Sequence, residues 1–294
     1  MHDVIVIGGG AAGFYSAIHI AEGLPNLNIA ILERGKEVLT KVKVSGGGRC
    51  NVTHAQFDPK ELSTNYPRGE KELLGPFHSY ASGDTVGFFE ERGIELKIED
   101  DGRMFPASNS SQTIIDCFTS EADRLGITLH TRCSVTGIKR IDNGTEYFWE
   151  VVTHENTFKT RYVVMASGSN PKIWNLMHQL GHTIVPPTPS LFTFNISDER
   201  ISDIPGLSTM AEVSVLGKKG EHQKLKSKDI NEGVLFSEGP LLITHWGMSG
   251  PAILKLSAFG ARLLSEMNYD CKAQVNWVNE VNIEIVREEL QEII

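Results

Sequence analysis

Long apolar runs are missing from this sequence. None of its hydrophobic stretches approaches the roughly 20 residues that a helix needs to cross a bilayer. The start, Met1-His2, has no Lys or Arg of the kind that opens a secretory signal peptide, and the apolar residues that follow run straight into glycines. These absences argue against a membrane-spanning helix and a secretion signal, so we expect a cytoplasmic protein without a membrane partner.

Positive charge is also scarce. The chain has 28 Lys and Arg against 37 Asp and Glu, a formal net charge of −9, and it has no long basic run. Nucleic acid is therefore not expected as the main partner, because its recognition depends on clustered cations. One local basic group better suits a polyanionic cofactor; it comprises Lys36, Lys41, Lys43 and Arg49.

Cysteine is rare, and its spacing gives no pairs. The four thiols form no CxxC and fit neither a zinc site nor a disulfide framework; they are Cys50, Cys117, Cys133 and Cys271. The histidines likewise show no metal-ligand spacing, so we expect no metal site. With 294 residues, 40% of them hydrophobic, the chain can bury a sizeable core in one large or two medium domains.

The most informative segment is the first 34 residues. A short apolar run, Asp3 to Ile7, is followed by glycines at 8, 9, 10 and 13, a helical pattern, and a second apolar run that ends at Glu33. In this strand–turn–helix–strand order, Gly8 permits the turn, Gly10 admits a pyrophosphate to the backbone, and Gly13 lets the helix pack on the sheet. Glu33 lies 20 residues beyond Gly13, where a carboxylate accepts hydrogen bonds from the adenosine ribose. The pattern predicts an adenine dinucleotide site.

A second glycine-rich loop, residues 41–54, follows the Glu33 strand. Its consecutive glycines 46, 47 and 48 can adopt positive φ and converge their amides on an anion. Ser45, Arg49 and Asn51 add donors. We interpret Cys50 as a packed or hydrogen-bonded neighbour of the cofactor, because no second cysteine stands nearby to form a disulfide with it.

These two segments resemble the aminoacetone-oxidase-like, BaiN-like family of NAD(P)/FAD-dependent oxidoreductases. Three further segments agree with that family: Gly102–Ser108 (GRMFPAS), Ala166–Ser169 (ASGS) and Leu242–Ile253 (LITHWGMSGPAI). The resemblance runs from about Asp3 to about Ser257. The combination of segments is specific, although no single segment is.

The resemblance implies an α/β fold, a three-layer FAD/NAD(P)-binding Rossmann-like domain with a β-rich inserted domain. It implies that FAD is the cofactor and that Val135 contacts its adenine side through the backbone. We expect the cofactor to be held by Gly8, Gly10, Ala12, Gly13, Glu33, Arg34, Lys41, Ser45, Gly46, Gly47, Arg49, Cys50, Asn51, Val135, Ala166, Ser167 and Gly168.

Periodicity divides the chain at a proline-dense stretch, residues 184–189. Before it we predict a helix over 112–125, strands over 127–130 and 134–138, and a hairpin of strands 147–152 and 157–164. Beyond it we predict strands over 191–196, 211–216 and 234–236, a turn at 217–220, and helices over 249–265 and 282–294. The predicted domains are therefore 1–187, binding FAD, and 188–294, a β-rich substrate-side insert.

One departure from the family concerns the end of the sequence. Members are expected to return from the insert to the FAD domain through a glycine-rich segment beside the flavin ring, and no late Gly-Glu or Gly-Asp motif is present here. We expect either a fragment or a naturally shortened protein, with a complete adenine half of the site and an incomplete flavin half.

Candidate catalytic residues are few, because a flavin carries the electrons itself. His245 is a candidate acid or base; the alternative, which we favour, is a histidine that holds a turn by hydrogen bonding. Arg103 can bind an anionic substrate or the flavin, or form a structural ion pair. We expect an FAD-dependent oxidoreductase of a small organic substrate, an amine or another, with the flavin reduced by NAD(P)H or by substrate. A non-catalytic or truncated FAD-binding module, an NAD-dependent dehydrogenase and an FAD-dependent tRNA-modifying enzyme stay open, and no oligomeric state is assigned.

Overall fold

The computed structural model describes residues 1–142, 144, 146–216, 235–278 and 283–293. The chain forms two compact units. The first contains Met1–Ser63 and Lys71–Val185, and the second contains Thr64–Glu70 and Pro186–Ile294. The short excursion of residues 64–70 into the second unit carries no sequence signal that we detected.

A six-stranded sheet organises the first unit, in the order β6-β2-β1-β9-β8-β7. Strands β6, β2, β1 and β9 run parallel, and β9, β8 and β7 form an antiparallel meander. The strands are β1 (His2–Ile7), β2 (Ile29–Leu32), β6 (Thr128–His130), β7 (Val135–Asp142), β8 (Tyr147–Thr153) and β9 (Thr157–Met165).

Two hydrophobic cores, one on each face of this sheet, give the unit three layers. Alternate residues of β1 point to opposite faces. Val4 and Val6 pack with helices α1 (Ala11–Gly23) and α6 (Ser111–Arg124), whereas Ile5 and Ile7 pack with the meander and helix α7 (Pro171–Gln179). Strands β1 and β2 therefore read as continuous apolar runs, as expected for parallel strands buried on both faces.

A smaller three-stranded sheet, in the order β3-β5-β4, follows the glycine-rich loop. The sequence analysis did not predict it, because its strands are only two to four residues long: β3 (Thr53–His54), β4 (Leu96–Ile98) and β5 (Arg103–Pro106). The helices of this region are α2 (Thr40–Val44), α3 (Pro59–Ser63), α4 (Glu70–Ser79) and α5 (Ser82–Glu90), and a 3₁₀ turn spans Ser45–Gly48.

The predicted helix over 112–125 and the predicted hairpin are confirmed within one or two residues by α6 and by β8 and β9. Ser110 caps the start of α6, since its hydroxyl accepts a hydrogen bond from the Gln112 amide at 3.3 Å. The predicted strand over 134–138 is longer than expected and continues to Asp142.

The second unit contains a five-stranded antiparallel sheet, in the order β10-β13-β12-β11-β14. Helices α8 and α9 pack in the same hydrophobic core as this sheet. Its elements are β10 (Phe194–Asn195), β11 (Ser208–Leu216), β12 (Phe236–Thr244), β13 (Gly247–Ser249), α8 (Pro251–Phe259), α9 (Ala261–Glu266), β14 (Lys272–Asn276) and α10 (Ile283–Ile293).

Three predictions for this unit were partly wrong. The strand expected over 234–236 starts only at Phe236 and continues to Thr244. The strand expected over 191–196 is confined to Phe194–Asn195. The single helix expected over 249–265, after its Gly-Pro start, does begin at Pro251, but it is divided at Gly260, where an added Cβ would lie 2.3 Å from Leu235 Cδ2. Some predicted elements lie partly or wholly outside the described residues. They are the turn over 217–220 and residues 234, 282 and 294 of other elements. No helix in the described part of the chain is long and apolar enough to cross a membrane.

Candidate functional site

The carboxyl ends of β1 and β9 meet at Gly8. Gly8 has a φ of +116°, its amide donates to Leu32 O at 2.9 Å, and a Cβ placed on it would lie 2.4 Å from Ala166 O. Because that oxygen belongs to the backbone and cannot swing away, only glycine fits here. The predicted turns at Gly8 and Ala166 are thus brought together at one edge of the sheet.

Helix α1 lies against this turn through Gly13. A Cβ on Gly13 would lie 1.9 Å from Gly8 O, so the missing side chain sets the approach of helix to strand. Gly10 differs, because in the described structure no protein atom lies within 4 Å of the position its Cβ would take. The first turn of α1 holds no acidic residue, and Ala11 and Ala12 are exposed. The helix start therefore presents unblocked amide donors to open space.

Glu33, at the end of β2, bonds the backbone on both sides of the turn. Its Oε2 accepts a hydrogen bond from the Gly9 amide at 2.8 Å, and its Oε1 accepts one from the Gly35 amide at 2.7 Å. The sequence analysis foresaw a ligand contact here but not these two bonds. A carboxylate oxygen accepts more than one hydrogen bond, so each oxygen of Glu33 can accept a further one. The neighbouring Arg34 side chain is exposed.

Lys41 links the loop after β2 to the turn after β9. Its Nζ lies 3.4 Å from Ser169 Oγ and 3.7 Å from the Cβ position of Gly168, whose φ is +59°. Helix α2 is in turn tied to the first glycine turn, because the Leu39 amide donates to Gly9 O at 2.8 Å. The ammonium group of Lys41 therefore lies beside the Ala166–Gly168 turn. We call the space between this turn, the Gly8–Gly13 turn and Glu33 the crevice.

The triple-glycine loop has the positive φ angles that its sequence predicts. They are +55°, +69° and +87° at Gly46, Gly47 and Gly48. A Cβ on Gly46 would lie 2.8 Å from both Asn51 N and the Phe105 ring, whereas no described protein atom lies within 4 Å of the Cβ position of Gly47. The loop is thus closely packed at one glycine and open at the next.

Two residues of this loop hydrogen-bond to nearby backbone, and a third is buried. The Ser45 hydroxyl donates to Val42 O at 2.9 Å. With its amide oriented to donate, Asn51 reaches Thr53 O at 3.0 Å and Met104 O at 3.3 Å. Cys50 is buried at a φ of +63°, and this burial raises the pKa of its thiol. A neutral, packed thiol agrees with the structural interpretation of Cys50.

Arg49 and Arg103 share one acidic partner. Arg49 pairs with Glu99 Oε1, and Arg103 Nη2 lies 3.5 Å from Glu99 Oε2. Both guanidinium groups lie over the buried Phe105 ring, at 4.1 and 5.4 Å from its centroid. Arg103 Nε also lies 2.7 Å from Asp101 Oδ2, and hydrogen bonds from the Arg103 backbone and side chain lower the pKa of that carboxyl. Of the two roles considered for Arg103, the structure contains the ion pair.

Val135 lies just after two residues that bond the backbone beside Glu33. The amides of Arg132 and Cys133 donate to Gly35 O and Glu33 O, both at 2.8 Å. Val135 then packs in the core that contains Ile7 and Leu32. The start of β7 is thereby attached to the strand end that carries Glu33.

His245 belongs to the second unit, where it is exposed in the turn between β12 and β13. Its ring makes no hydrogen bond among the residues that the structure describes. The turn is held instead by the backbone, since the Ile196 amide donates to Trp246 O at 3.0 Å. Across the described ranges, no three His, Cys, Asp or Glu side chains lie close enough to hold a metal ion.

The sheet order and the glycine turns define a Rossmann-like α/β protein. Residues 2–237 match the HI0933-like protein Rossmann domain, and residues 188–294 match the HI0933-like protein barrel and H2TH domain. The chain belongs to the HI0933-like family. This match confirms the family resemblance and the predicted fold class.

Two curated relatives of this chain have named activities. The chain is 25% identical over 265 residues to a ribosomal RNA dihydrouridine synthase of Haemophilus influenzae, a match that covers 87% of this chain and 61% of that protein. It is 25% identical over 296 residues to a 3-dehydro-bile acid delta(4,6)-reductase of Clostridium scindens, covering 98% and 67%. The chain thus spans about three fifths of the length of the dihydrouridine synthases that it matches.

Similarity to solved structures is weaker. Thermovibrio ammonificans THI4 aligns with a TM-score of 0.43 at 15% identity, covering 62% of this chain and 64% of that one.

Proposed function

We propose that this chain binds FAD and serves as an FAD-dependent oxidoreductase of a small organic substrate. The observation that carries the proposal is the contrast among the three glycines of the first turn. Gly8 and Gly13 are closed in by backbone, whereas Gly10 between them faces open space at the start of a helix. A diphosphate needs both a fixed turn and a free approach to helix amides.

The residues of the crevice fit the adenosine and diphosphate parts of FAD. The amides of α1 that follow Gly10 would bind the diphosphate, and the free acceptor capacity of Glu33 would bind the ribose hydroxyls. Lys41 would add a positive charge beside the Ala166–Gly168 turn. Arg34 and the open amides at Gly47 are further candidate contacts. When bound, FAD supplies the acceptance and delivery of an electron pair.

The direction of electron flow is the finer part of the proposal. We propose that NAD(P)H, or a reducing substrate such as an amine, reduces the flavin. One relative is named a reductase and another a dihydrouridine synthase, and both names are compatible with a flavin that delivers electrons to an organic acceptor. A small molecule is preferred over RNA as the substrate, because the net charge of −9 opposes binding to a polyanion. We also retain a cytoplasmic location as a proposal.

The test is flavin reconstitution of the purified 294-residue protein. After incubation with FAD and gel filtration, the protein is expected to be yellow, with bands near about 370 and 450 nm. Under anaerobic conditions, NADH, NADPH and a panel of small amines are added separately, and at least one is expected to bleach the 450 nm band. Re-oxidation by small organic acceptors or by ribosomal RNA then separates the two substrate classes.

Three outcomes would contradict the proposal at different levels. Protein that retains NAD but not FAD would indicate an NAD-dependent dehydrogenase. Retained FAD that no donor bleaches would indicate a binding module without redox activity. Re-oxidation by ribosomal RNA but by no small acceptor would overturn the small-molecule substrate and leave the flavin assignment intact.

A further inference from the structure

The triple-glycine loop is supported at its two ends and not at its apex. Gly46 packs against the Phe105 ring, whose Cε1 atom lies 2.8 Å from the position of an added Cβ. At Gly47, by contrast, no described protein atom lies within 4 Å of that position. The Arg49 amide closes the apex with a long hydrogen bond to Gly46 O, at 3.4 Å. The apex itself has no side chain that could restrict its backbone.

One buried ring supports both ends of the loop. Phe105, on β5, has no exposed surface. The Arg49 guanidinium lies over this ring, with its Cζ atom 4.1 Å from the ring centroid. Gly46 and Arg49 therefore contact the same ring, and the apex residues Gly47 and Gly48 connect them. An Arg49 side chain that leaves the ring releases one of the two supports.

Glu99 is the partner that holds Arg49 in this place. Its Oε1 pairs with the Arg49 guanidinium, and its Oε2 lies 3.5 Å from Arg103 Nη2. Arg103 lies over the same Phe105 ring, at 5.4 Å from the centroid. Two guanidinium cations over one ring repel each other, so the carboxylate that bonds to both stabilises their arrangement. The side chains of Arg49 and Glu99 are 35% and 26% exposed, so water screens the pair only in part.

We infer that Glu99 is a positioning residue for FAD binding, which acts through Arg49 on the triple-glycine loop. The inference rests on the proposed function, because it assigns the open amides at Gly47 to the FAD site. When a loop populates its binding conformation only in part, the apparent dissociation constant rises in inverse proportion to that population. Loss of the Glu99 charge would release Arg49 from the ring and lower that population.

The expected effect is on the loop and not on the whole unit. A partly exposed ion pair contributes little to the free energy of unfolding. Consecutive glycines have wide backbone freedom, so a small energy changes the population of their conformations. The base of the loop stays bonded without Glu99, since the Cys50 amide donates to Ser45 O at 3.0 Å and the Val52 amide donates to Met104 O at 2.9 Å.

The first test compares two carboxylate-to-amide changes in the turn between β4 and β5, each made in the whole 294-residue protein. Glu99→Gln removes the charge that pairs with Arg49 and is expected to weaken FAD binding about tenfold in a fluorescence titration. Asp101→Asn is the control, because Asp101 pairs with Arg103, whose Nε lies 2.7 Å from its Oδ2. This variant is expected to keep the FAD affinity within about twofold.

A double-mutant cycle tests whether Glu99 acts through Arg49. Arg49→Met keeps an unbranched side chain but removes the cation with which Glu99 pairs. In that background, Glu99→Gln is expected to change the FAD affinity by less than about twofold, because its partner is already gone. An equal loss in both backgrounds would mean that Glu99 acts independently of Arg49, and it would overturn the inference.

Amide hydrogen exchange in the flavin-free protein reports on the loop itself. Glu99→Gln is expected to speed exchange of the Arg49 amide by about tenfold, since that amide bonds across the apex. The Val52 amide, which is bonded to β5, is expected to exchange at its former rate. Weaker FAD binding without faster exchange at Arg49 would also overturn the inference, because the loop would then be unaffected.

Two further outcomes separate this inference from the proposed function. Equal FAD affinity in the unaltered protein and in Glu99→Gln would overturn the inference and leave the proposed function intact. Absence of FAD binding to the unaltered protein would contradict the proposed function, and the inference with it. Urea denaturation completes the test, since a loss of folding in Glu99→Gln would identify Glu99 as a residue of general stability and not of loop position.

Discussion

Strands β1 and β9 lie side by side in one sheet, yet their surroundings differ. Strand β1 is paired on both sides, and its residues Ile5 and Val6 have no exposed surface. It ends at Gly8, where backbone leaves no room for a Cβ. Strand β9 is paired along its second half only with β1, and Tyr162 there is largely exposed.

This difference separates a part of the sheet whose neighbours all lie among the described residues from a part where a neighbouring strand is missing from them. At the end of β1, Gly8 and Gly13 are closed in by backbone, whereas no atom of the described protein lies within 4 Å of the Cβ position of Gly10. Such a fixed turn supports a preorganised binding site. At β9, the backbone presents an edge whose partner is not among the described residues.

The largest expected effect is structural and concerns the closed glycine. Gly13→Ala would place a Cβ 1.9 Å from Gly8 O, and neither backbone can move without disturbing both α1 and β1. We expect the free energy of unfolding to fall by about 3 kcal/mol or more, as for severe overpacking. Urea denaturation measures it.

The control for this variant lies at the other end of the same helix. Gly23 is the last residue of α1, and no described atom lies within 4 Å of its Cβ position, so Gly23→Ala is expected to change stability by less than about 1 kcal/mol. If both variants were equally stable, the close approach of helix to strand would be contradicted.

The next largest effect concerns FAD binding rather than stability, and it is expected at Gly10, the glycine that faces open space. Gly10→Val would put a branched side chain into the space proposed for the diphosphate without meeting protein. We expect FAD affinity to fall by about 100-fold, or about 2.7 kcal/mol, while the free energy of unfolding changes by less than about 1 kcal/mol. Fluorescence titration with FAD and urea denaturation measure the two quantities.

Gly23→Val is the matched substitution in open space on the same helix, and it is expected to retain FAD. Undiminished flavin occupancy in Gly10→Val would refute the placement of the diphosphate. Loss of folding in Gly10→Val would show instead that this position is not the open one.

The sequence predicted the features that depend on local chemistry. The turn at Gly8, the packing of helix on sheet at Gly13 and the hairpin of β8 and β9 all follow from residues a few positions apart. The two bonds from Glu33 to the amides of Gly9 and Gly35 were not foreseen. A carboxylate in that position suggests a ligand, and nothing in the residue order indicates that it also holds its own turn.

The features that the sequence did not predict depend on distant residues. The Glu99 pair with Arg49 joins residues 50 positions apart, on segments that meet at the small β3-β5-β4 sheet. Likewise, the close approach of Leu235 to Gly260, the residue between α8 and α9, joins residues that are distant in the sequence. The open edge of β9 is hidden for a different reason, because an apolar run reads the same whether its neighbouring strand is present or not.

The smallest effect concerns the point where β9 leaves β8. Thr160 is fully buried, and its hydroxyl lies 3.0 Å from both Asp3 O and Tyr162 O, which ties the first residue of the open half to β1. Thr160→Val keeps the shape but removes this donor, so we expect the free energy of unfolding to fall by about 1 kcal/mol.

Thr157→Val, on an exposed position of the same strand, is the control and is expected to change stability by less than about 0.5 kcal/mol. Hydrogen exchange makes the result specific to the comparison. If the Thr160 hydroxyl anchors the open half of β9, its loss should speed exchange at Tyr162 and Val164 more than at Ile31 of β2, because β2 is paired on both sides. Equal acceleration at all three amides would mean that the whole sheet is destabilised together. The open half of β9 would then be no less stable than β2.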